Sequence, residues 1–120
     1  MSLQALLNQV IEIKGVNSAA VVSSSGFVIE GAANNETDLS FVGGLIISGL
    51  ASSRVLASFL GEGEVLQTMI EYENGPVLLI PLGGEDAPVM VATLASAAVL
   101  GRTRHSLRKL VPDIARAVSA

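Results

Sequence analysis

The stretch Leu39-Ser40-Phe41-Val42-Gly43-Gly44-Leu45-Ile46-Ile47-Ser48-Gly49-Leu50-Ala51-Ser52-Ser53-Arg54-Val55-Leu56-Ala57-Ser58-Phe59 decides the fold. It runs fifteen residues, Leu39 to Ser53, without a charge and predicts one long helix. Small residues recur every fourth position, at Ser40, Gly44, Ser48 and Ser52. Residues four apart stack on one helix face, so this face is shallow and another backbone can approach it closely. Gly43, Gly44 and Gly49 each cost a helix interior roughly 1 kcal/mol relative to Ala, a penalty that packing has to offset. Leu39, Val42, Leu45, Ile46, Leu50, Leu56 and Leu60 read as a separate apolar stripe, and Phe41, Val55 and Phe59 border the shallow face. A small domain has one core for one stripe. The second face therefore points to a partner chain, the alternative being a helix set deep inside one fold. A membrane span is set aside, because spanning needs about twenty predominantly apolar residues and this run is short and serine-rich.

Outward from that helix, the pattern alternates between periods. Ser2 is a suitable N-cap for a first helix carrying Leu3, Leu6, Leu7, Val10 and Ile11, which Gly15 ends. A strand is expected over 18–23, a tight turn at Ser24, Ser25 and Gly26, and a hairpin partner over 27–30. Residues 31–37 read as a polar loop, Asp38 as the cap of the long helix, and Gly61 and Gly63 as its stop. Residues 64–73 alternate as a strand, and Asn74-Gly75 is a hairpin signal because both turn positions need positive φ. Residues 77–82 and 89–95 are nearly all apolar, with a loop over 83–88. Strands apolar on both faces need cover on both faces. The expectation is an α+β domain of three layers, α/β/α, with a five-stranded antiparallel sheet in the middle and the order α-β-β-α-β-β-β-α. Pro81 predicts a bulge or an unbonded position in its strand. In the last helix Leu100, Thr103, Leu107, Leu110, Val111, Ile114 and Val118 share a stripe, and Pro112 is expected to kink it or to start a second helix.

Length and charge bound the function. At 120 residues the chain fits one domain, and with no cysteine it has neither disulfides nor thiolate chemistry. The N-terminus has no basic region ahead of its apolar residues and Glu12 interrupts them, so no signal peptide is read and a cytoplasmic location is expected. Of eleven acids only Asp113 follows Ala97, whereas five of seven bases do. Arg102, Arg104, Arg108, Lys109 and Arg116 thus make a basic element on an acidic body, serving a nucleic acid, an acidic partner or plain solvation.

Chemistry is scarce. His105 is the single histidine and projects away from the stripe, far in sequence from any serine-aspartate pair that would make a triad plausible. Glu62 and Glu64, and Glu71 and Glu73, are carboxylate pairs at strand spacing without a neighbouring histidine, which reads as a solvated face. The 61–63 glycine turn lacks the lysine and hydroxyl residue of a phosphate loop. Four aromatic side chains are too few for single-strand stacking. No catalytic residue, cofactor or metal site is expected.

The segments Gly15-Val16-Asn17-Ser18-Ala19-Ala20-Val21-Val22, Gly26-Phe27-Val28-Ile29, Leu60-Gly61-Glu62-Gly63-Glu64 and Leu100-Gly101-Arg102-Thr103-Arg104, in this order around the long helix, resemble the Roadblock/LC7 domain family, known from dynein light chains. The resemblance covers essentially the whole chain; profilin-like and longin-like folds have a similar shape. It implies a dimer paired through the long helix and the strand after it. The interface would then hold Ser40, Gly44, Ser48, Ser52, Val55 and Phe59 from the helix and Leu66, Thr68 and Ile70 from the strand. It also implies a homodimeric adaptor that binds and regulates a Ras-like small GTPase, or a scaffold subunit, with no arginine needed as a catalytic finger. Ile47 and Arg54 project away from the apolar stripe and are the expected partner contacts. A nucleic-acid-binding protein using the last helix and a small-molecule sensor are the other readings.

Overall fold

The computed structural model describes residues 1–34, 39 and 43–119. The first helix, α1 (Leu3–Glu12), is capped as its sequence requires, with Ser2 Oγ accepting from the Ala5 amide. Strands β1 (Val16–Val22) and β2 (Val28–Ala33) form the first hairpin. The long helix α2 (Gly43–Leu60) follows. Strands β3 (Thr68–Tyr72), β4 (Gly75–Pro81) and β5 (Val89–Leu94) form the meander, and α3 (Leu100–Ser119) closes the chain. All five strands join one antiparallel sheet in the order β2-β1-β5-β4-β3, which leaves β2 and β3 as its edges.

The sheet is the middle layer. Alternate residues of the central strands feed two cores, as a period of two dictates. Ala19, Val21, Leu78, Ile80, Met90 and Ala92 meet Leu6, Leu7 and Val10 of α1 and Leu107 and Ile114 of α3. Ala20, Val22, Leu79, Val89 and Val91 meet Ile46 and Leu50 of α2. Thr103, the polar member of the α3 stripe, is buried because its hydroxyl donates to Lys14 O at 2.9 Å. Asn34 Nδ2 grips the same α1–β1 connection, donating to Ile11 O at 2.6 Å and Val16 O at 3.1 Å.

Several boundaries differ from the sequence reading. β2 runs through Gly31 to Ala33 instead of stopping at Glu30, because small residues there pair with Ser18, Ala19 and Ala20, and pairing overrides weak strand propensity. β3 begins at Thr68, not Glu64. In its register Leu66 would face Pro81, which has no N–H to offer a ladder. Leu82 N donates to Pro88 O, so on alternation the Pro81 nitrogen points toward the β3 side, beyond the last pair Thr68–Leu79. No register shift is recorded along β4; the two in the sheet fall at Val21/Val22 and at Val16/Ser18.

The β3–β4 turn also moves by one residue. Tyr72 pairs with Gly75, so the loop is Glu73-Asn74, and among the described residues only glycines take positive φ. Gly75 lies at φ +137°, and a Cβ there would strike Leu94 O. α3 continues through Pro112 as one helix. The capping role expected of Asp38 lies outside the described residues.

A candidate interaction face

The long helix rests on the sheet along a narrow line. Gly43, Ile46 and Leu50 are its buried residues. Gly43 has no room for a side chain, since a Cβ there would strike Gly26 O in the β1–β2 turn. Ile47 does not project away from the core as its spacing suggests; it is half-buried against the Ala20, Val22 and Leu50 cluster, on the flank of the same line.

Leu45, Leu56 and Leu60 do not belong to the buried stripe. They are exposed, Leu45 by 73% and Leu60 by 62%, because a helix seated on a flat sheet covers a narrower arc than one inside a bundle. They join Gly44, Ser48, Ser52, Val55 and Phe59 on the outward side; Phe59 is 86% exposed. Among the described residues a Cβ at Gly44 would meet nothing within 4 Å. Ser40, Phe41 and Val42 lie outside the described residues.

Edge strand β3 extends this face. Ile70 and Tyr72 are exposed on its α2 side, and Leu66, in the segment before the strand, is 73% exposed. Thr68 turns inward instead. Its Oγ1 donates to Ser53 Oγ at 2.8 Å, and Ser53 Oγ donates to Gly49 O at 3.1 Å, so the helix and the edge strand are tied together. Nothing in the sequence marked that link. By length and composition α2 also meets the threshold for crossing a bilayer, yet one of its sides carries Ile46, Leu50 and Ser53 into contacts with the sheet.

Arg54 is half-buried at the rim of the face. Its guanidinium donates to Gly84 O at 3.2 Å in the β4–β5 loop, and the clefts it lines contain Glu64, Glu85 and Asp86. It makes a backbone contact, and the described residues give it no ion pair. His105 is exposed on α3, beside Arg104, Arg108, Glu62 and Glu64. Among the described residues no group of three or more His, Asp or Glu side chains is placed to hold a metal ion.

What the geometry offers is a surface. It is an exposed apolar face formed by one helix and one sheet edge that has no strand beside it among the described residues, the kind of patch that monomers seldom leave uncovered.

The sequence model of the Roadblock/LC7 domain matches residues 3–86. The uncharacterized protein MJ0310 of Methanocaldococcus jannaschii is 25% identical over 109 residues, 91% of this chain and 93% of its own length. Among solved structures, MglB with a tetrameric arrangement superposes with a TM-score of 0.86 at 19% identity, over 98% of this chain and 88% of that one. The gliding protein mglB from Thermus thermophilus gives 0.84 at 18% identity, with the same coverages of 98% and 88%. These likenesses establish the fold.

Proposed function

The chain belongs to the Roadblock/LC7 family, and we propose that it is a non-enzymatic homodimeric adaptor whose partner is a Ras-like small GTPase. The observation that carries this reading is the exposed apolar face of α2 and β3. Side-by-side pairing of two such faces buries Leu45, Leu56, Phe59 and Leu60, and the outward row Gly44, Ser48, Ser52 lets the helix backbones come close, as small residues do at tight helix contacts. Edge pairing of β3 satisfies backbone groups that a lone edge leaves open.

Such a dimer presents one broad platform with a two-fold axis. The GTPase reading rests on the family and on the likeness to MglB, for which a tetrameric arrangement is known. Arg54, at the rim of the platform, has donors beyond the one used on Gly84 O and is suited to a carboxylate on the partner. A bilayer is a poorer occupant of the face, because Ser48 and Ser52 lie on it.

Titration calorimetry with candidate small GTPases from the source cell, each loaded with GDP or a non-hydrolysable GTP analogue, tests the reading. Binding should depend on the nucleotide and weaken in Arg54→Glu while the dimer persists. Equal affinity of wild type and variant removes Arg54 from the site; no binding in either state removes the GTPase and leaves a scaffold.

A further inference from the structure

Edge strand β3 carries charge on the side opposite α2. Gln67, Met69 and Glu71 alternate onto the α3 side, and Arg108 of α3 reaches that edge, its Nη2 donating to Gln67 Oε1 at 3.2 Å. Arg108 and Glu71 are both exposed, and neither is in an ion pair among the described residues.

If β3 pairs with its own copy, geometry limits the register. Two antiparallel strands related by a two-fold axis bring residues of the same face opposite each other, so the axis passes through a residue and not between two. An axis at Glu71 sets like charges against each other and is disfavoured. With the axis at Met69, Gln67 lies opposite the partner's Glu71. With the axis at Ile70, Gln67 lies opposite the partner's Glu73, and the partner's Glu71 is one diagonal step away. Either way Arg108, already held at Gln67, is brought to the partner's Glu71, within about 5–8 Å between Cβ atoms of neighbouring strand positions and well within an arginine's reach.

We infer that Arg108 forms an ion pair with the partner's Glu71 across the two-fold seam, twice per dimer, on the side of the sheet away from α2. This rests on the dimeric reading above and deepens it. The apolar helix face supplies adhesion, and the charge pair sets register and selects a second copy over other exposed edges. Glu62 and Glu64 line the same depression as Arg104 and Arg108 and are the competing intrachain partners, although no such pair is made among the described residues.

Charge reversal tests it in the full-length protein, with dimer affinity read by sedimentation velocity over a dilution series. Arg108→Glu and Glu71→Lys should each weaken the dimer about tenfold, because each strikes two symmetry-related pairs of modest strength. The chain carrying both changes should return to within about threefold of wild type. An equimolar mixture of the two single variants should form the mixed dimer in preference to either homodimer. Unchanged affinity in the single variants, or weakening that the combined variant does not reverse, overturns the pair while leaving the dimer intact. A wild type that stays monomeric overturns the dimeric reading and the pair with it.

Discussion

Thr68 Oγ1 lies 2.8 Å from Ser53 Oγ, so the first residue of the edge strand is held under the middle of the long helix. This fixes the relative height of the two elements that form the exposed face. In Ser53→Ala, Thr68 loses its acceptor and the cost should be about 1 kcal/mol, the usual worth of a part-buried neutral hydrogen bond. Urea unfolding at a fixed protein concentration is the measurement, since dimer dissociation makes stability depend on concentration. A midpoint identical to wild type would mean that the hydroxyls bond water instead.

Gly44→Leu should convert the protein to a monomer or to aggregate without harming the fold. Among the described residues nothing lies within 4 Å of a Cβ at Gly44, and the residue is exposed, so the added side chain extends outward from the fold. Far-ultraviolet circular dichroism should therefore match wild type while light scattering reports the lost dimer. A variant as dimeric as wild type would place the interface elsewhere.

Gly75→Ala should destabilise by about 3 kcal/mol. The residue sits at φ +137°, and its Cβ would run into the backbone of β5 at Leu94. Gly84→Ala is the control: among the described residues nothing lies within 4 Å of its Cβ position and its φ is not positive, so stability should fall by no more than about 1 kcal/mol in thermal unfolding. Equal losses in the two variants would contradict the close approach of the β3–β4 turn to β5.

Arg54→Ala should loosen the 83–87 loop, because the guanidinium bond to Gly84 O is lost. Hydrogen exchange at those amides should speed up while the amides of β4 and β5 keep their protection. Unchanged exchange in the loop would show that the Gly84–Ala87 turn, closed by Ala87 N donating to Gly84 O, is sufficient alone.

The order of elements was legible because each carries its own period: Leu6, Leu7 and Val10 at helical spacing, Val89 to Leu94 as an apolar run. The element ends were less so. Whether β3 starts at Glu64 or Thr68 depends on Pro81, thirteen positions beyond Thr68 and on another strand, and whether Gly31 to Ala33 is loop or strand depends on β1. The interaction face was half legible. Gly44, Ser48 and Ser52 showed in the spacing, but Leu45, Leu56 and Leu60 looked like core, since sequence periodicity does not tell how wide an arc of a helix its support covers. The Ser53–Thr68 bond had no sequence signal, because it exists only in the register that the folded sheet sets.

The central claim is that two α2 faces meet about a two-fold axis. The chain has no cysteine, so one can be introduced alone. Ser52 is central in the outward row from Gly44 to Phe59, where an axis brings a residue closest to its own copy. Oxidation of Ser52→Cys should give a covalent dimer of about twice 12.3 kDa on a non-reducing gel, whereas Lys109→Cys, exposed on α3 on the far side of the sheet, should stay monomeric. Cross-linking of Lys109→Cys in place of Ser52→Cys would contradict the account.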